Sequence, residues 1–144
     1  MTNSDSSKNA FDNPLDTKIS ASTRFAIEVA AWVAGPWAAA ELAGNWLVTI
    51  PVLAILVALP GVFSTTGDKR HVVVAVPGRV RLFIEILLAA VAIYSALVVW
   101  TYVGAIVVAV IVLAMFVAGA PRARWLFSNE PAHWPLPSNR DQMN

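Results

Sequence analysis

The residues with the clearest chemical potential are two glutamates set in apolar sequence. Glu28 closes Arg24-Phe25-Ala26-Ile27-Glu28, and Glu85 closes Arg81-Leu82-Phe83-Ile84-Glu85. A carboxylate surrounded by hydrocarbon must bind a proton or a cation, or be paired. Two chemistries follow. One is a proton or cation site between two similar halves of the chain. The other is a set of ion bridges that lock helices together. Each Glu lies about 6 Å along a helix axis from its arginine, one turn inward and short of a bilayer midplane. That shallow depth, with arginines at hand, favours the bridging role. Pairing within each helix puts the cation N-terminal, the weaker order at this spacing. Crossed pairing, Arg24 with Glu85 and Arg81 with Glu28, requires the two helices to be neighbours.

The elements that position these groups read as helices with small-residue faces. Helical spacing leads from Glu28 to Ala31, Gly35 and Ala38, and from Glu85 to Ala89, Ala92 and Ala96. Small residues in such a stripe let helices approach closely within lipid, so both carboxylates should point at a helix interface.

Composition sets the solvent. The 144 residues are 58% hydrophobic and 13% charged, against about a quarter charged in soluble domains. A soluble fold this small has too little interior to hide so much apolar surface. The expectation is an all-α integral membrane four-helix bundle, built from two similar transmembrane hairpins. Its spans fall at about 25–40, 46–63, 82–100 and 104–120, joined in the middle by a loop over 64–81. A polar tail (1–23) precedes them, without an apolar run of signal-peptide length, so no cleaved leader is expected. An interfacial tail (121–144) follows. Between Leu82 and Ala120 the only charge is Glu85. One helix of that length would reach roughly 58 Å, about twice the hydrocarbon core, so two spans are read, turning between Trp100 and Gly104. Pro36 predicts a kink in the first span, Asn45 a helix N-cap, and Pro121 the end of the fourth.

All ten Lys and Arg residues fall in the N-terminal tail, the central loop or the C-terminal tail; the turns after the first and third spans have none. Positive charge marks the cytoplasmic side, which places both termini there. The chain is expected to cross its membrane several times.

Other residues are weaker candidates. Lys69, Arg70, Arg122, Arg124 and Trp125 suit an anchor on anionic lipid headgroups. His71, in the basic loop, is a candidate for titration near neutral pH or for binding anionic headgroups, but reads first as a solvated loop residue. His133 has no partner at metal-ligand spacing. Asn45 and Thr49 are explained by capping and back-bonding. Trp32, Trp37, Tyr94 and Trp100 suit interface belts, or a lipid or quinone between hairpins. There is no cysteine, no Ser/His/Asp grouping, no glycine-rich phosphate loop and no His-Glu-x-x-His. Neither enzyme chemistry, a cofactor, a metal nor a nucleic-acid partner is expected.

Arg24-Phe25-x-x-Glu28, Pro77-Gly78-x-Val80-Arg81-Leu82-x-x-Glu85 and the four-span layout ending at Pro121 together resemble the YrdB-like family of small bacterial membrane proteins. The likeness spans roughly residues 24–120 and implies the fold and a bacterial cytoplasmic membrane as the location, with no mechanism attached. Two functions remain open. One is a non-catalytic accessory or scaffold subunit bound to itself or to a larger membrane protein. The other is an oligomeric small-solute or ion transporter coupled through Glu28 and Glu85.

Overall fold

A computed structural model describes residues 17–65 and 73–128. They are helical apart from one short parallel pairing. Helix α1 (Lys18–Ala43) is followed by a 3-10 turn (Trp46–Val48), α2 (Thr49–Val62), strands β1 (Phe63–Ser64) and β2 (Val74–Ala75), α3 (Gly78–Val99) and α4 (Thr101–Ser128).

Local chemistry sets most of the ends. Thr17 caps α1, its side chain accepting from the Ser20 amide at 3.1 Å, so the helix starts at Lys18 and not near Phe25. At the other end Gly44 takes a left-handed conformation, φ 61°, and its amide returns to the Ala40 carbonyl, a common glycine stop. Asn45 then accepts from the Leu47 amide at 2.9 Å, and the Thr49 hydroxyl donates to the Trp46 carbonyl at 2.7 Å. These are the capping and back-bonding roles expected of both residues. Helix α1 continues through Pro36, which is buried.

The core lies where α1, α3 and α4 meet. It contains Ile27, Ala31, Leu88, Ala92, Ala96 and Met115. Helices α1 and α3 share the most extensive contact in the fold, and the predicted small-residue faces form it: Ala31, Gly35 and Ala38 on one side, Ala89, Ala92 and Ala96 on the other, all buried. Helix α2 leans mainly on α1, with Leu56 and Pro60 its buried residues. The joint has a definite cause. The Leu56 carbonyl would normally accept from residue 60, but Pro60 has no N–H. The Trp32 indole donates to it instead, Nε1 to oxygen 3.0 Å.

Two further boundaries differ from the sequence expectation. The α3–α4 reversal is confined to Trp100 and Thr101, with Thr101 at φ 67°. Gly104 does not make the turn. It lies within α4, where a Cβ would come within 2.6 Å of the Trp100 Cβ; its role is close approach. Helix α4 also runs past Pro121 to Ser128, so residues 121–128 are helical and not an irregular tail. Tertiary contacts hold this extension. Leu126 is buried against Gly78, where any Cβ would meet the Leu126 carbonyl oxygen, and Arg79 donates to the Phe127 carbonyl at 3.3 Å while lying over its ring.

By length and composition, α3 (22 residues) and α4 (28 residues) are long and apolar enough to cross a membrane, and Trp46–Val62 forms a shorter apolar stretch. Much of that apolar surface faces outward: Val103, Ile106, Val107, Val110, Leu113 and Val117 are all exposed along α4.

A β-branched residue in the left-handed region costs about 1–3 kcal/mol. Thr101→Gly should therefore raise unfolding stability in detergent by about 1 kcal/mol, read as an upward shift in Tm. Trp32→Phe keeps the ring and deletes the donor to Leu56, and should cost about 1–3 kcal/mol through the orphaned carbonyl. Hydrogen exchange along α2 would register that loss first.

Candidate functional site

The charged residues converge at the end of the bundle where α1 and α3 begin and α2 and α4 finish. The last carbonyls of a helix have no partners within it. At the end of α2 the Pro60 and Phe63 carbonyls accept from Arg81 Nη1, at 3.2 and 3.1 Å. A cation there also meets the negative end of the helix. Arg81 is 0% exposed, and its Nε stands 3.4 Å from Glu85 Oε1, one turn along α3.

Glu85 is 7% exposed and has a second cation. Arg122 Nη1 donates to both of its oxygens, at 3.0 and 3.2 Å. A chain of charge thus runs from the end of α2 through Arg81 and Glu85 to α4. Burying one carboxylate between two guanidinium groups compensates its desolvation. It also joins three helices at one point.

Helix α1 approaches the same carboxylate with Arg24 and Glu28. Two small gaps flank Glu85. The first is bordered by Ser20, Arg24, Glu85, Gly119 and Arg122, and the second by Arg24, Ile27, Glu28, Glu85 and Met115. Each encloses about 10 Å³, room for about one water molecule. Ile27, Leu88 and Met115 separate the charged groups that border the second.

The sequence expectation is met in part. Arg81 and Glu85 pair within their own helix, and α1 and α3 are neighbours, as crossed pairing would need. Arg81 nevertheless spends its Nη1 on the α2 carbonyls. The two Arg–Glu signatures are also unequal, since Arg24 and Glu28 are partly exposed while Arg81 and Glu85 are buried.

Arg122 corrects the reading of it as a headgroup anchor: it points inward, 2% exposed. The reason is register. Val108, Val112, Met115, Arg122 and Leu126 form one buried stripe of α4, and it passes Pro121 unbroken. Extending the period of three and four residues beyond Met115 would have placed Arg122 in the interior; the proline signal obscured it. Arg124 is exposed and Trp125 half-buried, while Lys69, Arg70, His71 and His133 lie outside the described residues. The aromatic set does not gather into one pocket. Trp32 and Trp100 pack against the core, whereas Trp37 and Tyr94 are exposed.

No family model, curated protein or solved structure matches this chain. The resemblance to the YrdB-like family rests on the residues quoted above.

Removing the Glu85 charge leaves Arg81 and Arg122 buried without their carboxylate. Glu85→Gln should destabilise the protein by about 3–5 kcal/mol. Glu28→Gln, at a partly exposed position, should cost under about 1 kcal/mol. Thermal unfolding of both variants in one detergent gives the comparison, and equal losses would refute the central place assigned to Glu85.

Proposed function

We propose that this protein is a small, non-catalytic integral membrane protein that serves as an accessory or scaffold subunit of a membrane assembly. It crosses a bacterial cytoplasmic membrane four times, with both termini inside. The observation that carries the non-catalytic, non-conducting reading is the state of Glu85. Its oxygens are engaged by two buried arginines, and the gap toward Glu28 has room for about one water. A transport site needs a carboxylate that can exchange its partner, with a continuous polar path to it. This carboxylate is committed to holding helices.

Three further facts support the membrane setting. Helices α3 and α4 have the length and composition to span. The exposed face of α4 is apolar along its length, beyond what a monomer in water commonly presents. Lys18, Arg24, Arg79, Arg81, Arg122 and Arg124 all cluster where α1 and α3 start and α4 ends. An outward apolar face on a bundle this small suits lipid and a neighbouring membrane protein alike.

A second reading, an oligomeric ion or solute transporter, draws on Glu28 and Glu85 bordering one gap. Proteoliposomes separate the two. The expected outcome is no pH-dependent ion flux from the wild type, with a second copy or a larger membrane protein retained in stoichiometric amount through purification in mild detergent. Flux that disappears in the Glu28→Gln, Glu85→Gln double variant would establish transport instead. A chain that always emerges alone and monodisperse would remove the scaffold reading.

A further inference from the structure

Two polar groups at the charged end of the bundle have hydrogen-bonding capacity that their protein neighbours do not use. The first is the Ser20 hydroxyl. The α1 cap fixes this residue: its amide donates to Thr17 Oγ1 at 3.1 Å, and its carbonyl accepts from the Thr23 hydroxyl at 3.1 Å. Its side chain faces α4, where a Cβ on Gly119 would stand 3.2 Å from Ser20 Oγ. Ser20 is 1% exposed, yet among the described residues its hydroxyl has no hydrogen-bond partner. The second group is on Glu85. Among the described residues its Oε2 accepts only from Arg122 Nη1, at 3.2 Å, whereas Oε1 meets both Arg122 Nη1 and Arg81 Nε. A carboxylate oxygen accepts at more than one position, so Oε2 has capacity left. Ser20 and Glu85 border the same gap between α1 and α4, which encloses about 10 Å³.

We infer that this gap binds a single internal water, which donates to Glu85 Oε2 and shares a hydrogen bond with the Ser20 hydroxyl. The volume suits one water and nothing larger. The carboxylate at its border repels an anion. Water meets both groups, because it can donate to the carboxylate and either donate to or accept from the hydroxyl. A hydroxyl shut away from solvent without a partner is costly, and internal waters commonly bridge such groups. The gap toward Glu28 offers no such pair, since no hydroxyl borders it. The water has a structural consequence. Helices α3 and α4 bind Glu85 directly through Arg81 and Arg122. Among the described residues α1 makes no direct hydrogen bond to that carboxylate, so the water joins the first turn of α1 to it. This site is a property of the folded chain, independent of the assembly proposed above.

X-ray hydroxyl-radical footprinting of the full chain in detergent reads the site, because radiolysis of a bound water oxidises the side chains around it. Met115, 5% exposed and bordering the gap, is the reporter. Wild type should show oxidised Met115, and Gly119→Ala, whose Cβ enters the gap, should lower that oxidation several-fold. Thermal unfolding of Ser20→Ala gives an independent sign and keeps the test valid if Gly119→Ala misfolds. Alanine is the better helix former, so a hydroxyl with no water to bind predicts a variant at least as stable as wild type. With the water in place, its Tm should fall by about 2–4 °C. Unmodified Met115 in wild type, oxidation unchanged by Gly119→Ala, or a Tm for Ser20→Ala at or above that of wild type would each overturn the site. None of these results bears on the membrane-assembly reading, which the proteoliposome and co-purification experiments test separately.

Discussion

Much of this fold depends on giving one buried carboxylate its partners. Glu85 meets that constraint with two guanidinium groups, one from its own helix and one from α4. The consequences spread outward. Because Arg81 must lie beside Glu85, it is also available to the last carbonyls of α2. Because Arg122 must reach Glu85, α4 stays helical beyond Pro121 and its end packs onto the start of α3. A buried ion pair is not in itself a strong source of stability. Its effect here is to select one register for three helices, since a shift of any of them by a turn would strand a charge.

The same accounting of polar groups explains how Pro60 is tolerated. Each proline in a helix frees the carbonyl four residues earlier, which in a dry environment must find another donor. At Pro60 that donor is the indole of Trp32. Loss of an internal bond in α2 thereby becomes a directional bond to α1. Helix α2, short and largely exposed, has few other contacts that would fix its position.

Close approach is the third constraint. Where α1 and α3 meet, alanines and Gly35 replace the large side chains of an aqueous core, and the bulky apolar residues lie outside. This inverts the usual arrangement in water and fits dispersion as the force between helices within lipid. Gly78 and Gly104 serve the same end, admitting the Leu126 backbone and the Trp100 side chain.

The helical class and the small-residue faces were legible in the residues themselves, because each is written in local spacing or composition. Thr17, Gly44 and Asn45 act within a turn of where they stand, so their chemistry is local too. The partner of Glu85 was not legible. Arg122 sits after a proline and among other basic residues, a pattern that reads as a headgroup anchor until the neighbouring helix is in place. The inequality of the two Arg–Glu signatures is likewise tertiary: two pentapeptides that share Arg, Ile and Glu end up partly exposed in α1 and buried in α3, where the end of α2 covers Arg81 and Arg122 of α4 covers Glu85. Sequence spacing specifies which residues share a face; which face is buried, and what meets it there, depends on helices distant in the chain.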